Sequence, residues 1–516
     1  MRVSIPMLAL AAALAFVPGP GRGAEVAGRA FSDLDGNGRH DAGEPSLPGV
    51  LVSDGERLVE TDAGGRFRLP LTADAPVFVI PPAGYLPPLR RDGLPDTWRD
   101  APTGDWAVAL RPAAFAPPYA LRVFGDPQVK NAEDLRSFET AIVEAERRLP
   151  RARLGLSLGD IVHGNLALLP AMAAATARMG TPWLTASGNH DRDHGAGSDE
   201  ASLASFRRVF GPDTFAWEAP GLAVVVLDNV IHQPGSGEPA AYVGGLRERQ
   251  FRFLEAYLPR VPRDALLLLA MHIPLFDTDA SPGRDSFRQG DRQRLFRLLE
   301  AHPAVLVLSS HTHVQQHRWH GEEAGWRGAS PLHEYNVGAA CGAFWSGLAD
   351  ARGVPDSRMA DGTPKGFATL TVQPGGGYAL RWHAVDHADD PPFALHAPRV
   401  LRRGAWPGFA VYANVWMGDA GSRVEYRVAG GEWRPMQRVD RPDPALLAIN
   451  AADDAADALR AYDRAPEAAP SPHLWRGALP TDLPAGEHAI EVRVFDRWRG
   501  ELRQTTRYRL EEAALR

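Results

Sequence analysis

The chain reads as an α/β domain set between two β modules, and three observations predict this. Five apolar runs between Tyr119 and Ser310 each stop at an Asp, Asn, Gln or His, and helix-period segments separate the first three. A Gly-rich, turn-rich stretch with short strand patterns precedes them, and a stretch of period-two alternation follows. At 516 residues the chain exceeds one compact domain, while 44% hydrophobic and 23% charged residues are ordinary for a globular protein. A net charge of -7 gives no basic footprint for a nucleic acid, so none is expected as a partner. The expected division is a signal peptide at 1–23, a β-sandwich module at 24–113, the α/β domain at 114–390 and a second β-sandwich at 398–516.

The first segment has the build of a leader. Met1-Arg2 is a short basic start, Leu8 to Val17 is apolar but too short to span a bilayer, and Gly21-Arg22-Gly23 is a small-x-small site. A buried first strand or helix is the competing reading, and the charged start and following Pro-Gly cluster count against it. A periplasmic or secreted protein is therefore expected. No later apolar run reaches membrane-spanning length, so no transmembrane anchor is expected either. Cys341 is the single cysteine, which excludes an intramolecular disulfide.

The module at 24–113 opens with Asp33-Leu34-Asp35-Gly36-Asn37-Gly38-Arg39-His40-Asp41-Ala42-Gly43-Glu44, which has the spacing of a calcium loop. Its flanks do not: Ala30-Phe31-Ser32 before it and Pro45-Ser46-Leu47-Pro48-Gly49 after it cannot be two packed helices. Short strands at Val50 to Ser53 and Arg66 to Leu69 argue for a small β-sandwich. Calcium at Asp33, Asp35, Asn37, Asp41 and Glu44 is one reading of the loop, and a plain cluster of Asx turns is the other.

In the α/β region, Tyr119 to Phe124 ends in Gly125-Asp126-Pro127-Gln128, a helical pattern runs from Ala132 to Leu149, and Leu154 to Leu158 ends in Gly159-Asp160. A second helical stretch fills Leu166 to Met179, and Pro182-Trp183-Leu184 leads into Gly188-Asn189-His190-Asp191. Ala265 to Met271 delivers His272, and Ala304 to Ser310 delivers His311-Thr312-His313. Polar residues after a strand usually form a turn, and a single histidine is usually structural. Five strand ends in succession that all close on metal-ligand side chains point to one site at the carboxyl edge of a sheet.

In order and spacing, Asp126-x-Gln128, Gly159-Asp160, Gly188-Asn189-His190-Asp191, His272 and His311-x-His313 resemble the five blocks of the calcineurin-like metallophosphoesterase superfamily. The resemblance covers about Tyr119 to Val385, and it implies a four-layer α/β sandwich with a dinuclear metal site. It further implies that Asp126, Gln128 and His313 hold one metal and Asn189, His272 and His311 the other, with Asp160 bridging. His190 would stand beside the leaving group, oriented by Asp191. Two divalent ions held by two carboxylates and otherwise neutral ligands keep surplus positive charge, which suits phosphate. The expected reaction is hydrolysis of a phosphate monoester or diester by attack of a metal-bridging hydroxide.

Two positions depart from the family pattern. Gln128 stands where the first block usually has His, and its harder amide oxygen favours manganese, with iron, zinc or magnesium as other candidates. Ser310 replaces the usual Gly of the last block, where a positive φ would strain it. His163, His194, His317 and His320 are read as surface residues or supports of the ligands.

Between His333 and Phe367, the Gly-rich run with Phe344 and Trp345, and Asp361 beyond it, is a candidate substrate pocket; aromatics plugging the core is the alternative. After Pro398, alternation at Val411, Ala413 and Val415, at Val424, Tyr426 and Val428, and at Ile490, Val492 and Val494 predicts an immunoglobulin-like β-sandwich. Ala448 to Pro470 reads as an insertion, helical or mobile. Trp475 and Trp498 are either a carbohydrate platform or core. Together with the first module, this end resembles the accessory domains of a secreted bacterial branch of the superfamily. The favoured function is a secreted metal-dependent phosphoesterase acting on a small-molecule, glycan-linked or lipid-linked phosphoester. The rival is a non-catalytic envelope- or glycan-binding protein that retains the scaffold.

Overall fold

Leu266–Ala270 and Leu222–Val226 are apolar at every position, the composition of strands covered on both faces. They lie inside a six-stranded sheet ordered Phe215–Ala219, Leu222–Val226, Leu266–Ala270, Val305–Ser309, Leu332–Asn336 and Gln316–His320, in which the second to fifth strands run parallel. Their side chains alternate between two cores. Leu222, Val224, Val226, Leu266 and Leu268 enter the central one, while Ala223, Val225, Leu267, Leu269 and Val307 face an outer one with Phe251, Leu254, Leu295 and Phe296. The last four residues belong to the helices Glu248–Tyr257 and Gln289–Leu299. The computed structural model describes residues 25–71, 76–100, 104–234, 241–278, 285–385, 391–406, 409–458 and 460–513, so the expected leader at 1–23 lies outside them.

A five-stranded sheet, ordered Trp183–Ala186, Leu154–Leu158, Tyr119–Phe124, Gly366–Val372 and Tyr378–Ala384, sends Leu121, Val123 and Leu156 into the same central core. Its first three strands are parallel and the last two antiparallel. The helical pattern predicted over 132–149 forms Ala132–Phe138 and Glu144–Arg147 with a π turn, Glu139–Val143, between them. That turn buries Ala141, Ile142 and Val143 in succession, a run that 3.6-residue periodicity does not provide. The segment after Leu332–Asn336 joins the sheets at their carboxyl ends: Val337 N donates to Ser309 O at 2.8 Å and Ala340 N to Gly125 O at 2.6 Å.

The two flanking regions are β-rich. In the first, sheets containing Glu25–Ser32 and Leu51–Ser53 close over Val26, Val52, Phe67, Val79 and Val108. Its Phe78 ring packs 5.9 Å from Phe253 and 6.4 Å from Phe215, so this region also helps to cover the six-stranded sheet. In the last region, sheets containing Ala410–Asn414 and Gly486–Asp496 close over Val411, Val424, Trp475, Ile490 and Val492. Trp475 is buried there as core, and half-buried Trp498 packs against His317 and His333 of the α/β region, with ring centroids 5.4 and 6.2 Å away. Where an insertion is expected, Asp443 caps a helix, Pro444–Asp454, by accepting from Ala445 N and Leu446 N.

Candidate metal centre

Every expected ligand of the α/β region lies within four residues of a strand's carboxyl end, Asn189 at the head of the short 3-10 helix Asn189–Asp191. Backbone register explains why they meet: Gln128 N donates to Asp160 O at 2.8 Å, and Ser310 N to His272 O at 2.9 Å. These turns are tight, and Asp126, Gln128, Asp160, His311 and His313 all have positive φ, between 36° and 75°. Ser310 is not among the positive-φ residues; the strain expected there falls on its histidine neighbours. Its hydroxyl instead donates to Asp126 Oδ2, joined by His311 N at 3.0 Å.

Asp160 lies at the centre. Its Oδ1 is 3.4 Å from His272 Nε2, which is itself 3.0 Å from Asn189 Oδ1 and 3.1 Å from His311 Nδ1. Its Oδ2 faces the Gln128 amide at 3.2 Å, in the set that includes Asp126 and His313, whose Nε2 and Oδ1 are 3.8 Å apart. Donors around an ion at about 2.1 Å lie about 3.0 Å apart in octahedral and about 3.4 Å apart in tetrahedral geometry, so the His272 set fits a cation. A half-turn of the Gln128 amide places Oε1 beside Asp160, as a cation there requires. Nδ1 of His272 donates to Leu158 O at 2.9 Å and Nδ1 of His313 to Gly342 O at 2.8 Å, leaving each Nε2 lone pair for a metal.

The electrostatics also call for cations. Asp126 and Asp160 are buried, and among the described residues their ion-pair partners are imidazoles alone. Burial pushes the Asp126 carboxyl up. Burial works the same way on Asp160, but His272 and His190 overcome it and hold that carboxyl below the ordinary range. His272 is driven down by burial yet raised to about 9 by Asp160 and Asp126, whereas burial and His272 push His311 down to about 3. A metal that takes the His272 lone pair displaces that proton.

The remaining expected residues divide. His190 N donates to Asp160 Oδ1 at 2.8 Å, and burial pushes its imidazole down to about 4. Asp191 does not steer that ring: its carboxylate accepts from Gly188 N at 2.8 Å, Ile161 N at 3.1 Å and Val162 N at 3.0 Å, tying two ligand turns together. His163, read from sequence as a support or surface residue, stacks on His190 with ring centroids 4.3 Å apart. Of the three candidate pocket residues, only Phe344 is exposed at the site. Trp345 is buried and donates from Nε1 to Pro127 O, and buried Asp361 accepts from Gln315 N, Thr363 N and His473 Nε2.

Three supporting residues carried no sequence signal. Asn229 accepts from the amides of His272 and Ile273, buried Arg192 donates to Asn189 O, and Tyr242 stands edge-on to His311 at 6.0 Å. In the N-terminal loop, Asp33, Asp35 and Glu44 converge within 4.8 Å. These carboxylates also accept from loop amides, as Asx turns do, and Asn37 bonds both Asp35 and Asp41.

Parallel strands that bring carboxylate, amide and imidazole side chains to one edge define an α/β class with a candidate metal centre. Within it, a calcineurin-like phosphoesterase profile matches residues 103–315, and profiles for the N terminal and C terminal of calcineurin-like phosphoesterase match 34–106 and 334–501. The chain belongs to the calcineurin-like phosphoesterase family, with the N- and C-terminal regions that accompany it. Among solved structures it is similar to a purple acid phosphatase from yellow lupin (Lupinus luteus) seeds, at 15% identity and TM-score 0.38 over 66% of this chain and 67% of that one. A Thermus thermophilus protein is similar at 12% identity and TM-score 0.27 over 43% and 90%. The phosphopantetheinyl hydrolase of Mycobacterium tuberculosis is similar at 11% and 0.28 over 44% and 91%. No curated protein matches the chain.

Proposed function

We propose that this chain hydrolyses a phosphate monoester or diester with two divalent ions, one held by Asp126, Gln128 and His313, the other by Asn189, His272 and His311. The observation that carries the reading is Asp160, whose two carboxylate oxygens face the two ligand sets separately. When bound, such a pair supplies positive charge for the phosphoryl oxygens and acidifies the attacking water. The protein's own contribution is to hold the ligands rigidly and to place His190 where its ring donates to the departing oxygen. Gln128 supports manganese as the preferred ion. Export to the periplasm or medium belongs to the same proposal and rests on the leader-like residues 1–23; the N-terminal mass of protein recovered from the native host tests it.

Hydrolysis of p-nitrophenyl phosphate and bis-p-nitrophenyl phosphate, with manganese added or chelated, tests the activity. Turnover of one or both that disappears on chelation is the expected result. Turnover that survives exhaustive chelation contradicts the assignment.

A further inference from the structure

Phe344 is 44% exposed, while the next residue, Trp345, is buried. Both it and Trp345 take left-handed backbone conformations, with φ of 57° and 56°, a region bulky side chains avoid. The surroundings enforce this. Trp345 is anchored in the core by its bond to Pro127 O at 2.9 Å, Lys130 Nζ donates to Phe344 O at 2.7 Å, and Gly347 N donates to Asp463 O at 2.7 Å. One anchor comes from the turn that carries Asp126 and Gln128, another from the segment after the helix Pro444–Asp454. Strain imposed from several sides on an exposed aromatic at the edge of a site points to a role in contact with a ligand.

The ring's position says which part of the ligand. Its centroid is 4.8 Å from that of His313 and 5.7 Å from that of His163, and His163 in turn stacks on His190 at 4.3 Å with 20° between the planes. His313, Phe344, His163 and His190 thus form a continuous aromatic rim, running from a proposed metal ligand to the residue on the leaving-group side. Resting on the phosphoesterase reading above, we propose that this rim is the leaving-group subsite. Phe344 is its specificity-determining residue, and it selects phosphoesters whose leaving group carries an apolar ring.

Calorimetric titration of the manganese-loaded full chain with phenylphosphonate and methylphosphonate tests this. Wild type should bind the phenyl compound about tenfold more tightly. Phe344→Ala should reduce that ratio to below about twofold while leaving methylphosphonate affinity unchanged, and Phe344→Tyr should keep the preference. Equal affinity of wild type for the two compounds overturns the subsite and leaves the phosphoesterase reading standing. So does a Phe344→Ala protein, folded by circular dichroism, that weakens both in proportion. Binding of neither compound by wild type removes the phosphoesterase reading itself.

Discussion

Among the described residues, five of the eight non-glycine residues with positive φ are proposed metal ligands, so backbone strain is concentrated at the proposed site. Each such residue costs on the order of 1 kcal/mol, and each turns its side chain sharply off the end of a strand. His190 has ordinary backbone, and its hydrogen bond to Asp160 comes from its amide, which a truncated side chain retains. His190→Ala should therefore keep both metals by elemental analysis and lower kcat by about 10²-fold, most for poor leaving groups. Loss of the metals in that variant would show that the ring has a structural role. Gln128→His, which replaces an amide oxygen with a softer nitrogen, should shift the metal content of protein loaded from an equimolar mixture toward zinc.

At the scale of elements, the ligand turns are packed backbone against backbone. A Cβ on Gly188 would stand 2.1 Å from Asp160 N and 2.2 Å from its Oδ1, whereas one on Gly195 meets nothing within 4 Å. Gly188→Ala should destabilise the protein by about 1–3 kcal/mol and cost it metal, and Gly195→Ala should do neither. Thermal unfolding with and without manganese reads both effects. The strands, and the gathering of polar side chains at their ends, were legible in the sequence because apolar runs ending in Asp, Asn or His announce buried strands and candidate coordination chemistry together. The π turn at Glu139–Val143 was not, since periodicity carries no record of a local change of helix type. Nor were the hydrogen-bond partners of Asp191, Trp345 and Asp361: residue type does not reveal which backbone amide or carbonyl will satisfy a buried polar atom.

At the scale of the whole molecule, the C-terminal β region is built into the α/β core. Trp416 and Met417 enter the central cluster, and Asp361 joins Gln315 and Thr363 to His473 across the boundary. Asp361→Ala strands these buried donors and should lower stability by about 3 kcal/mol in urea unfolding, with any remaining turnover unchanged per folded molecule. Near this boundary, burial pushes His317 down to about 3 and His333 well below its ordinary value. Both are neutral when folded and take up protons when unfolded below about pH 6.5, so their contribution to stability is full above that pH and falls as pH drops toward 3. His317→Gln should flatten the decline of the urea midpoint between pH 6.5 and 4 relative to wild type. Residue type alone did not mark these histidines as buried: they pack against Tyr335, Trp319 and Tyr378 of their own region and against Trp498 of the third.

The central claim is that one carboxylate, reached from both sheets' strand ends, serves two ions. Elemental analysis of metal-saturated wild type and Asp160→Ala tests it most directly. Two ions per chain in wild type and neither retained in the variant is the predicted result, and a variant that still holds both would contradict it.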